Sequence, residues 1–194
     1  MKKMIATAAI ALASAGAAAN ANAQDISFYT GMGVGTLNTE HKAAGVDQTA
    51  TSFGGFARFG ADLNENFAAE LRVGMSGKNK KTYAANNTLT YSSPLFVSYL
   101  AKAKYPVTPE IDLFVLAGAT TARIKGSSNS ATQTQTKTGM SVGAGIDYKL
   151  NSNVSVGADW TQYMFPVNMN AGSVFANDSK ARMWGLTTNI AYHF

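Results

Sequence analysis

The chain contains no cysteine. Small exported domains often rely on disulfides, so stability has to come from elsewhere, and a sheet closed on itself by hydrogen bonds would supply it. There are two histidines, His41 and His193; they form no cluster that would hold a metal. No glycine-rich phosphate loop is present, so nothing implies a cofactor. Beyond the first two dozen residues, no apolar run approaches the roughly 18 residues that a membrane-spanning helix needs. Mean hydropathy is near neutral at −0.05. These absences argue against a helical membrane protein but not against a transmembrane barrel, in which outward and inward residues alternate and average out.

The N-terminus is a different matter. Lys2 and Lys3 precede an Ala-rich apolar stretch from Met4 to Ala19, and Ala21-Asn22-Ala23 fits a small-x-small cleavage site. Residues 1–23 are expected to be a cleaved signal peptide and residues 24–194 a single domain. Removing Lys2 and Lys3 leaves 14 cations against 11 anions. For an exported chain this mild excess does not point to nucleic acid.

Period-two alternation of apolar residues recurs eight times along the mature chain. In the first segment Phe28, Thr30, Met32 and Val34 oppose Tyr29, Gly31, Gly33 and Gly35. In later ones Phe67, Leu71 and Val73 oppose Glu70 and Arg72, and Val97, Tyr99 and Ala101 oppose Ser98 and Lys102. In the last, Trp184, Leu186, Thr188, Ile190, Tyr192 and Phe194 oppose Gly185, Thr187, Asn189, Ala191 and His193. Such alternation marks strands with one apolar face. A soluble sandwich alternates too, but here the opposite faces are rich in glycine, as a narrow lumen requires. Tyr105, Tyr148, Tyr192 and Phe194 fall toward one set of strand ends and Trp184 toward the other, like aromatic girdles.

Connector lengths also alternate. Residues 63–66, 106–110 and 149–153 carry tight-turn chemistry. Residues 38–50, 76–90, 125–137 and 166–181 are Ser-, Thr-, Asn- and Gly-rich and read as mobile loops. The expected fold is all-β: a transmembrane eight-stranded antiparallel up-and-down β-barrel, with both termini on the short-turn, periplasmic side. The chain stops inside its last strand, as expected if that strand pairs with the first.

Several motifs then stand out. "FYTGMGVG", "AKAKYPVTPEIDLFVLAGA" (101–119), "GIDYKLNSNVSVGADW" and the terminal "AYHF" resemble the OmpA-type and opacity-like eight-stranded outer-membrane barrels across essentially the whole mature chain. The resemblance implies residence in the bacterial outer membrane, among its lipid and lipopolysaccharide. It also implies a monomer and passage through the barrel-assembly machinery. Ile190, Tyr192 and Phe194 resemble the C-terminal signal which that machinery reads.

Parity assigns Arg58, Glu70, Arg72, Lys102, Lys104, Asp112, Asp147 and Asp159 to the lumen. Pairing is how an interior tolerates charge. By analogy with the family, Glu70 is expected to pair with Lys102; Asp147 and Asp159 lie on an adjacent strand pair within reach of Arg58 or Arg72. A packed polar core is the expected role, with a salt-bridge gate for a narrow channel as the alternative. At the outer rim, Arg123, Lys125, Lys137, Lys180 and Arg182 are expected to meet lipopolysaccharide phosphates; the alternative is ordinary solvated loop charge. The expected function is non-enzymatic: envelope integrity and adhesion to surfaces or host molecules through four extracellular loops. A small-solute channel is the rival. A lipid A-modifying enzyme is less well supported, since His41 has no fixed acid partner and His193 sits at the wrong end.

Overall fold

The computed structural model describes residues 26–43, 46–77, 79–83, 87–127, 131–172 and 179–194. The expected signal peptide lies outside the described residues. The strands are β1 (Ser27–Ala43), β2 (Val46–Asp62), β3 (Phe67–Ser76), β4 (Asn79–Tyr83), β5 (Asn87–Pro106), β6 (Ile111–Ser127), β7 (Thr132–Lys149), β8 (Val154–Asn168) and β9 (Lys180–His193).

Consecutive strands pair antiparallel except β3 and β4, β9 returns to β1, and β3 pairs with β5. β3 and β4 form one stave, interrupted at Gly77, whose N–H donates to the Phe53 carbonyl at 2.9 Å. The wall is therefore a closed eight-stranded barrel, whose fully laddered lower part leaves no sheet edge for another chain to extend. Closure runs from Tyr29↔His193 to Lys42↔Lys180. Beyond it, the Phe194 N–H donates to the Phe28 carbonyl at 2.9 Å.

The barrel is apolar outside and charged inside. Phe28, Met32, Phe53, Phe59, Leu113, Val115, Met140 and Leu186 all face outward and are exposed, while Arg58, Glu70, Arg72 and Asp159 are buried. A belt of exposed apolar side chains this continuous requires lipid around it.

The three short turns share one device. The Asn64 Oδ1 accepts from the N–H groups of Asn66 and Phe67, at 2.9 and 2.7 Å. Asn151 does the same for Asn153 and Val154, and Thr108 Oγ1 for Glu110 and Ile111. These local bonds satisfy the backbone where the chain reverses.

The opposite ends differ from expectation. Much of what reads as mobile loop is β-ladder: β1–β2 pairing runs on to Ala43↔Val46, β4–β5 to Tyr83↔Asn87, and β6–β7 to Ser127↔Thr132. These ribbons are polar on both faces, so they show no apolar alternation, yet threonine-rich backbone pairs readily. Within 166–181, strand gives way at Met169–Gly172 and Ser179.

Inside the barrel, glycine and aromatic residues pair across strands. Tyr29 sits opposite Gly60, Phe56 opposite Gly33 and Gly74, Phe96 opposite Gly74, and Phe114 opposite Gly145. A Cβ on any of these glycines would overlap the partner ring. The missing side chains make room for the rings that fill the lumen.

Candidate functional site

The lumen has three levels. At the outer end is an apolar plug: Leu37, Phe56, Phe96, Ile124, Tyr163, Met164, Met169 and Met183 form one buried cluster. β8 builds part of it by breaking alternation. Its pairing with β9 shifts register after Gln162 and again after Met164, so that Gln162, Tyr163 and Met164 are all buried.

Beneath the plug lies the charge layer. The Arg72 Nε donates to Glu70 Oε1 at 2.6 Å, and its Nη1 donates to Asp159 Oδ1 at 2.9 Å across the lumen. The same Nη1 reaches the Tyr163 hydroxyl at 3.3 Å, and the guanidinium stacks on Phe56 at 4.6 Å. Tyr29 donates its hydroxyl to Glu70 Oε2 at 2.6 Å. Asp159 also accepts from the Thr161 hydroxyl at 2.6 Å and from Asn189 Nδ2 at 3.2 Å. Arg58 comes only to 3.7 Å from Glu70.

At the short-turn end is a polar vestibule of about 310 Å³. Lys102 Nζ donates to Asp147 Oδ2 at 2.5 Å, Lys104 to Asp62 at 2.6 Å, and Lys149 pairs with Asp112 at 2.9 Å. His193 packs on Tyr29 with ring centroids 5.3 Å apart, and its Nε2 is 3.0 Å from the Ser155 hydroxyl.

The structure thus brings Arg58, Glu70, Arg72, Lys102, Asp147 and Asp159 into one lumen but changes the partners. Among the described residues Glu70 makes no ion pair with Lys102; Lys102 turns toward the short-turn end and meets Asp147. Glu70 is taken by Arg72, its neighbour two residues along the same face, and by Tyr29. Tyr29 and Tyr163 complete the network without having been singled out. A tyrosine on an otherwise glycine-lined face was the available signal for Tyr29; nothing signalled Tyr163, whose inward turn depends on the shifts in β8.

The basic rim residues divide. Arg123 and Lys125 point outward from β6 and are exposed, as is Lys180 on β9. Arg182 is outward but ion-paired with Glu40, its Nε donating to Oε2 at 2.7 Å. Lys137 does not join them. It lies on the luminal parity of β7, and its Nζ donates to Asn170 Oδ1 at 2.9 Å. The side chains of His41, Lys42, Asp47, Lys78, Lys80, Lys81 and Asp178 lie outside the described residues. Ile190, Tyr192 and Phe194 face outward and are exposed, the last two rings meeting edge-on at 5.3 Å.

A closed eight-stranded antiparallel wall, greasy outside and ion-paired within, defines a small transmembrane barrel of the bacterial outer membrane. The chain belongs to the family of the outer membrane protein beta-barrel domain, whose profile matches residues 5–194. No significant match is found among curated protein sequences.

Solved structures share the fold. Neisserial surface protein A is similar at 17% identity and a TM-score of 0.58, over 88% of this chain and 100% of that one. OprG of Pseudomonas aeruginosa is similar at 15% identity and a TM-score of 0.55, over 87% and 95%. The attachment invasion locus protein Ail of Yersinia pestis, solved with the heparin analogue sucrose octasulfate, is similar at 16% identity and a TM-score of 0.53, over 86% and 99%.

Proposed function

We propose that this barrel is a non-enzymatic surface protein that supports the envelope and binds polyanions, lipopolysaccharide phosphate first among them, at its extracellular end. The observation that carries this reading is the outward placement of Arg123, Lys125 and Lys180. Arg123 and Lys125 extend the face of β6 that carries Leu113 and Val115 lower down, so their heads lie just above the apolar belt. Lys180 is exposed on the outward face of β9, where it can pair with phosphate. Arg182 is a weaker claimant because Glu40 already engages it. That a barrel of similar fold, Ail, was solved with a polysulfated heparin analogue supports the chemistry.

The channel reading has less support. The plug residues Leu37, Phe96, Tyr163 and Met164 are each 0% exposed, and the charges beneath them are bonded to one another. The test is native mass spectrometry of the refolded chain with lipopolysaccharide. The Arg123→Ala/Lys125→Ala/Lys180→Ala variant is expected to lose bound lipopolysaccharide. Retention equal to the parent would overturn the reading, as would stable unit conductance of the parent in planar bilayers for its non-channel part.

A further inference from the structure

The short-turn vestibule holds two orphaned groups of opposite sense. Arg58 is 1% exposed and lies at its inner wall, and the guanidinium Nε and Nη1 have no hydrogen-bond partner among the described residues. Its closest carboxylate oxygen, Glu70 Oε2, is 3.7 Å away, beyond hydrogen-bond reach. On another wall, Asp147 gives one oxygen to Lys102 while Oδ1 has no partner.

Buried donors and acceptors of charged groups are costly to leave unmatched. The other vestibule cations Lys102, Lys104 and Lys149 each have a carboxylate. Arg58 is the loosely held one, and it lines the cavity.

The lining holds four Lys or Arg side chains and four Asp or Glu side chains. A cavity so balanced favours an electroneutral ligand over a multiply charged anion. Its volume of about 310 Å³ corresponds to about ten waters at roughly 30 Å³ each. We infer that the vestibule binds a small zwitterion of amino-acid size from the periplasm, its carboxylate on Arg58 and its ammonium on Asp147. The Tyr29 ring, with Arg58 at 5.4 Å and Lys102 at 5.8 Å from its centroid, lines the same cavity.

The experiment is an NMR titration of the full mature chain, refolded in detergent micelles with nitrogen-labelled arginine and carbon-labelled aspartate. The probes are L-alanine, acetate, methylammonium and glycerol. L-alanine is expected to move the Arg58 Nε–Hε and Asp147 carboxyl signals together and saturably. Its affinity should exceed that of acetate or methylammonium at least about tenfold, since the two ends are linked; glycerol should move neither signal. Arg58→Lys and Asp147→Asn should each abolish the advantage of L-alanine. If either variant fails to fold, the parent titration alone decides. The inference is overturned if the two signals stay still, or if L-alanine binds no better than its separate halves.

Discussion

Replacing Arg72 by methionine tests whether the charge layer holds the barrel together. Methionine keeps the apolar contact with Phe56 but removes the donors to Glu70 and Asp159. Both carboxylates are then buried without their closest cation. Removing one partner of a buried pair costs about 3–5 kcal/mol. The lower end applies here, because Glu70 keeps the Tyr29 hydroxyl and Asp159 keeps Thr161 and Asn189. With a urea dependence of about 1–3 kcal/mol per molar, a loss of about 3 kcal/mol lowers the midpoint by about 1–3 M. Unfolding in lipid vesicles, followed by heat-modifiable gel migration, reads this directly. The triple variant R72M/E70Q/D159N, which removes both orphaned charges, should recover most of the loss. A shift for R72M equivalent to less than about 1 kcal/mol, or a triple variant worse than the single one, would refute an organising role for the layer.

Two other substitutions follow from the same interior and rim. Gly60→Val puts a branched side chain where the Tyr29 ring lies, so it should cost about 1–3 kcal/mol in vesicle unfolding and break the Tyr29–Glu70 bond; an unchanged midpoint would remove glycine's spatial role. Phe194→Ala removes a ring that is 73% exposed, so refolding from urea into detergent should be little changed while the heat-modifiable fraction in cells falls; equal loss in both assays would assign Phe194 to stability and not to assembly.

The wall was legible because lipid imposes it. Within the membrane belt most outward positions are apolar and their neighbours tolerate the lumen, so period two alone marks the staves. The closing partner followed from the strand-like end of the chain. Less could be read where lipid makes no demand. Residues 132–138, "TQTQTKT", alternate nothing apolar, yet they pair along β6 as far as Ser127↔Thr132. Parity carried through that stretch would have turned Lys137 inward, but an assumed loop hid it. The luminal partners were out of reach for another reason. Pairing across a lumen depends on how high each side chain rises, and Arg72 reaches both Glu70, two positions away, and Asp159, 87 positions away. The bend that buries Tyr163 depends on a register shift that no local composition announces.

The joint between β7 and β8 is laced only in its lower half. Its ladder runs from Val142↔Gln162 only to Lys149↔Ser155, whereas β6 and β7 stay laced to the tip of their hairpin. Above that point, among the described residues, side chains bridge the gap: Ser141 Oγ donates to the Tyr163 carbonyl, and Asn170 is buttoned to Gln133, Gln135 and Lys137. A tube half-stitched at such a joint is held there by side chains in place of a backbone ladder. Strain applied from outside the cell meets side-chain buttons at that placket and not a backbone seam.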